Sequence, residues 1–120
     1  MKQLSDIVYK ALTNANFPNI GKKVYPVVAV AGAQFPFITY AISIDNSESK
    51  DRARRYSLDI HVYDETYSQT VSVVDSIIND IMPQVSQFQK TYRFSLLSAN
   101  IRYAPKDKVF IGAVKLKIIK

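Results

Sequence analysis

Arg55-Tyr56-Ser57-Leu58-Asp59-Ile60-His61-Val62-Tyr63-Asp64 alternates apolar and polar residues along nearly its whole length. Successive side chains on a strand point to opposite faces, so Tyr56, Leu58, Ile60 and Val62 line one face while Ser57, Asp59 and His61 line the other. The stretch reads as a half-buried strand. It runs directly into Glu65-Thr66-Tyr67-Ser68-Gln69, where the period changes. Thr66 to Gln69 has capping-box spacing, and Asp64 and Glu65 suit the positive end of a helix dipole. Tyr67, Val71, Val74, Ile78 and Ile81 then recur at spacings of four and three, a helical stripe that Pro83 limits.

Towards the N-terminus the same two periods recur. Phe37 to Asp45 alternates, with Ile38, Tyr40, Ile42 and Ile44 on one face and Thr39, Ala41 and Ser43 on the other. A short strand is expected over Val24–Val30, at an edge because Pro26 has no donor, with Gly32 and Pro36 bracketing the turn that follows. A first helix is expected over Lys2–Ala15, where Leu4, Ile7, Val8, Ala11 and Leu12 form one stripe. Asn14 and Asn16 suit a left-handed stop, and Phe17-Pro18 ends the pattern. Between the second and third strands, Asn46 to Arg54 is polar and charged and reads as a solvated hairpin connection, mobile until a partner orders it.

The last third holds two strands joined at Ala104-Pro105-Lys106-Asp107, where Pro105 fits the second position of a tight turn. The first of them slips phase. Tyr92, Phe94 and Leu96 share one parity, whereas Leu97, Ala99, Ile101 and Tyr103 share the other, so a β-bulge near Leu96–Leu97 is needed to keep both halves facing the core. The second carries Phe110, Gly112, Val114, Leu116 and Ile118 on one face. The order is α-β-β-β-α-β-β. The fold class is α+β, a mostly antiparallel sheet of about five strands with two helices packed on one face.

The chain of 120 residues is the size of one domain, spanning 1–120. Its apolar share of 48% and charged share of 22% exclude a disordered or collagen-like chain. No apolar run approaches the roughly 20 residues of a membrane span, and the opening residues lack the apolar block of a signal peptide. The absence of cysteine excludes disulfides, thiolate metal sites and cysteine nucleophiles.

Ser57, Asp59 and His61 share a strand face and invite a triad reading. On one strand, however, Ser57 and His61 stand about 13 Å apart, with Asp59 between them, and a triad needs base and nucleophile in contact. Asp45, Glu48 and Asp51 do not follow the calcium-loop pattern. The three glycines, Gly21, Gly32 and Gly112, open no helix after a strand, so no phosphate-binding loop is expected. These readings point to a protein that is not an enzyme and uses no cofactor and no metal.

The net charge of +6 permits contact with polyanions without demanding it. Arg52, Arg54 and Arg55 with Tyr56 form a basic loop beside an aromatic ring, a pattern found where nucleic acid is held. No lysine or arginine lies between Thr66 and Met82, so readout by a helix in a groove is not expected. A small basic module making non-specific contact with DNA is the alternative functional reading.

Two segments together resemble a known family. They are Lys23-Val24-Tyr25-Pro26, followed after small residues by Pro36-Phe37-Ile38-Thr39-Tyr40, and Arg55 to Asp64 running into Thr66-Tyr67. This pattern is similar to the tail completion or tail terminator proteins of long-tailed bacteriophages and prophages. The resemblance implies a structural protein of the virion tail or neck, assembled in the host cytoplasm. It implies a hexameric homo-oligomeric ring on the end of the tail tube, which stops tube growth and offers a head-tail joining surface. Its partners would be the tail tube protein and the head-connector protein, with no membrane involved.

Parity supplies candidate contact residues. The sheet face opposite the helices carries Phe37, Tyr63, Val109, Ile111 and Ala113 among polar positions, an apolar patch large enough to mark a contact surface if exposed. Tyr63, Val109 and Ile111 are the candidates there, with Lys50, Arg52, Arg54 and Arg55 on the projecting loop.

Overall fold

A computed structural model of the chain describes residues 2–45, 54–88 and 92–120. Its elements are α1 (Lys2–Asn14), β1 (Val24–Pro26), β2 (Phe37–Asp45), β3 (Arg55–Asp64), α2 (Tyr67–Ser76), a π-helical segment (Ile77–Ile81), α3 (Met82–Phe88), β4 (Arg93–Ala104) and β5 (Val109–Ile119). With 67–88 counted as one interrupted helix, the order is α-β-β-β-α-β-β. The strands form one five-stranded sheet in the order β1-β2-β3-β5-β4. Among the described residues the β1–β2 pair is parallel and the other three pairs are antiparallel. This is the expected α+β class.

Burial of alternate side chains drives the packing. Tyr56, Leu58, Ile60 and Val62 of the central strand β3 are buried, with Ile38 and Tyr40 of β2 on one side and Val114, Leu116 and Ile118 of β5 on the other. Leu4, Val8 and Leu12 close this floor from α1, and Val73, Val74 and Ile77 close it from the second helix. The Ser5 hydroxyl lies 3.2 Å from the Tyr40 hydroxyl, tying α1 to β2. Phe17 and Ile20 plug the corner after α1, in a turn where Asn16, Asn19 and Gly21 all take positive φ.

Four expectations need correction. The first strand stops at Pro26 rather than Val30. Val27 donates its N–H to the Tyr40 carbonyl at 2.7 Å but adopts φ +67°, which turns the chain off the sheet. Positive φ is costly for a β-branched residue, so strand propensity at Val27 gave no warning.

The second helix does not end at Pro83 but continues to Phe88. The π segment accommodates the proline. The Met82 N–H bonds five residues back, to the Ile77 carbonyl, one residue before the ring that could not have donated. The helix is also rolled relative to the expected stripe: Thr70, Val73, Val74 and Ile77 are buried, and Tyr67 is exposed. Its cap differs as well. The Thr66 side chain makes no helix-capping bond; its hydroxyl donates to Asp64 Oδ1 at 2.7 Å and its N–H to the same oxygen at 2.9 Å, while Gln69 reaches the Pro18 carbonyl.

The expected bulge is present, as a register shift in β4 between Leu96 and Ser98. It leaves Phe94 and Leu96 opposite Ile118 and Leu116, and Ala99 and Ile101 opposite Val114 and Gly112. Both halves therefore share the helix-covered face of the sheet, although Leu96 and Ala99 lie exposed along the edge.

Candidate interaction surfaces

The apolar positions on the face away from the helices pack on one another. Phe35 stacks on Phe37 with ring centroids 5.2 Å apart, and Phe37 stacks on Tyr63 at 4.8 Å. Tyr25 meets Phe37 edge-on at 6.0 Å. Cross-strand aromatic pairs of this kind hold neighbouring strands in register. Ile111 takes its place in the next position of the same row, between Tyr63 and Arg102.

This arrangement overturns the expected exposure of the patch. Ile111 is 6% exposed and Val109, the first residue after the turn at 105–108, is 1% exposed. Tyr63 is half-buried. Its place in the row, with Tyr63 on one side and Arg102 on the other, leaves Ile111 little free surface. Phe35, which sequence reasoning assigned only to a turn, supplies the cover that parity within the strands does not reveal.

Of the basic loop residues, Arg54 is exposed and its carbonyl accepts the Lys120 N–H at 2.9 Å. Arg55 is half-buried at the start of β3, opposite Asp45 on one side and Ile119 on the other. Lys50 and Arg52, like the expected mobility of the connection around them, lie outside the described residues.

Apolar exposure is concentrated instead at the two ends of the strand order. Beyond β1, the run Val27-Val28-Ala29-Val30 leaves its three valines exposed, Val28 by 71%. At the other edge, Leu96, Leu97 and Tyr103 of β4 are exposed, Leu97 by 54%. Leu97 is the extra residue of the bulge. Tyr103 packs against Phe110, which in turn meets Tyr67 edge-on, extending this surface from β4 to the start of α2. Sequence signals for both were present: four residues of unbroken apolar character with no alternation, and the phase slip itself.

Ser57, Asp59 and His61 stand on one face of β3, each opposite a different pair of neighbours: Ser43 and Lys117, Ala41 and Lys115, Thr39 and Ala113. They do not converge. Among the described residues no three His, Asp or Glu side chains gather as a metal site would require. A groove of about 550 Å³ separates α1 from the π segment and α3, with Asp6 and Lys10 as its charged lining residues. No helix among the described residues is long and apolar enough to cross a membrane.

Comparison with models of known protein families gives no match, and comparison with curated protein sequences gives none either.

Proposed function

We propose that this chain is a structural protein of a long-tailed phage or prophage, closing as a ring on the end of the tail tube to stop its growth and provide a head-side joining surface. One observation carries the reading beyond the sequence resemblance. A single open sheet bears two unlike apolar surfaces, the valine run beyond β1 and the bulged edge of β4, at opposite ends of its strand order. Head-to-tail association needs this arrangement: two different patches on each subunit, so that every contact is heterologous and a chain of subunits can close. Exposed apolar residues in such groups mark contact surfaces more often than scattered single ones do. In this reading the segments that carry the resemblance have structural roles. Val24-Tyr25-Pro26 and Phe37 to Tyr40 form the parallel β1–β2 pair, and Arg55 to Asp64 is the central strand. The protein acts by assembly rather than catalysis.

The test is to add the purified protein to growing tail tubes and image them by negative stain. Capped tubes of uniform length are expected. Tubes that grow as long with the protein as without it would refute the reading.

A further inference from the structure

The half of the open sheet face away from the aromatic stack has a different chemistry. Strand register sets it out in rows. Ser43, Ser57, Lys117 and Ser95 lie side by side; next come Ala41, Asp59, Lys115 and Ser98; and Arg55 and Arg93 flank Ile119 at the end. No helix among the described residues covers this side, because both helical layers pack on the opposite face. Lys115 and Arg93 are exposed and Lys117 is half-buried. Neighbours this small leave the lysine stems to stand above a flat floor of serines and alanine. Alternate residues on a strand lie about 6.6 Å apart and neighbouring strands about 4.8 Å apart, so these charges fall within a patch on the order of 15 Å across. Among the described side chains, Asp59, beside Lys115, is the carboxylate within it.

We infer that this half of the sheet face binds the phosphodiester backbone of duplex DNA without regard to sequence. The charge has the right sign, and the floor supplies hydroxyl donors, which with lysine and arginine are the groups that contact phosphate oxygens. An acidic polypeptide is a poorer fit, because protein partners rely on apolar or aromatic anchors seated in pockets, and the rows of this half of the face hold no aromatic ring and, besides Ala41 and Ile119, no apolar side chain. Single strands are held by stacking bases on free rings. Here the aromatic rings lie at the other end of the face, stacked on each other. Base reading is not expected, since the helical stretch 67–88 contains no lysine or arginine. The site centres on Lys115 and Lys117 of β5, meets the arginine-rich loop only at Arg55, and does not depend on ring closure.

Fluorescence anisotropy of the full chain with a labelled duplex of mixed sequence, titrated at several salt concentrations, tests this. Engaging three or four phosphates predicts a log–log salt slope of about −3. Lys115→Gln/Lys117→Gln should weaken binding about tenfold at low salt and flatten the slope by about two. Lys2→Gln/Lys10→Gln on α1 removes the same net charge from the other side and should leave affinity within about twofold. The inference fails if both double variants lose affinity equally, if the unaltered chain does not bind duplex at low salt, if polyglutamate competes as well as DNA, or if an unstructured single strand binds far more tightly than duplex.

Discussion

A Cβ placed on Gly112 would stand 2.5 Å from Cγ2 of Val74 and 3.1 Å from Cγ2 of Thr70. The missing side chain lets α2 lie directly on β5, and it sets the roll that buries Thr70 and Val73 and leaves Tyr67 outside. Gly112→Ala must push the helix away or force its side chains off their rotamers, a cost of about 1–3 kcal/mol. Urea unfolding should show that loss, and Val74→Ala in the same chain should recover part of it, because the new methyl would occupy space the valine vacates. Strictly additive losses would mean that the two residues are not in contact.

Thr66 and Asp64 hold the junction between β3 and α2. Asp64 is buried, and its Oδ1 accepts both the Thr66 N–H and the Thr66 hydroxyl. Thr66→Val keeps the shape but removes one donor from a buried carboxylate, which costs about 1–3 kcal/mol. Thr66→Ser keeps the hydroxyl and should stay close to the original stability. Equal chemical-denaturation midpoints for the valine and serine variants would show that the hydroxyl contributes nothing.

The different fates of Ile111 and Ile38 show what the sequence could and could not reveal. Ile38 belongs to a run whose alternation is unbroken from Phe37 to Asp45, so its burial and the extent of its strand were legible from period alone. The bulge in β4 was legible for the same reason, since the apolar parity changes in mid-strand. Ile111 has the parity of the uncovered face, and only the packing of the row from Phe37 through Tyr63 to Arg102 buries it. That contact is set by tertiary geometry. The early end of β1 at Val27 and the roll of α2 over Gly112 likewise depend on a backbone conformation and a void that residue type does not announce. Among the candidate contact surfaces, the apolar exposure moved from the sheet face to its two edges.

Ile111 is therefore a residue of stability, not of contact. Ile111→Asp buries a carboxylate beside Tyr63 that the exposed Arg102 across the strand pair offsets only in part, and the melting temperature should fall, by the equivalent of about 2 kcal/mol or more. Ile111→Val should cost about 1 kcal/mol. A thermal melt separates the possibilities: an Ile111→Asp chain that melts with the parent would show the side chain to be exposed after all.

Val28 and Leu97 test the assembly reading most directly, because each is exposed and they lie near opposite edges of the sheet. Val28→Asp and Leu97→Asp should each leave the melting temperature nearly unchanged, since surface substitutions away from special features stay within about 0.5 kcal/mol. Each should also abolish ring closure and tube capping, because an unpaired charge placed in an apolar contact is strongly unfavourable. The two variants then behave differently mixed than apart. In a head-to-tail contact, the Val28→Asp subunit retains a sound β4 edge and the Leu97→Asp subunit a sound valine run, so one productive contact remains between them. Mixing the two should give a heterodimer in sedimentation velocity that neither variant forms alone, and no ring. A face that pairs with its own copy would behave otherwise, since the variant with the untouched face would still dimerise by itself. Rings assembled from either single variant, at the concentrations where the parent assembles, would remove both edges from the interface.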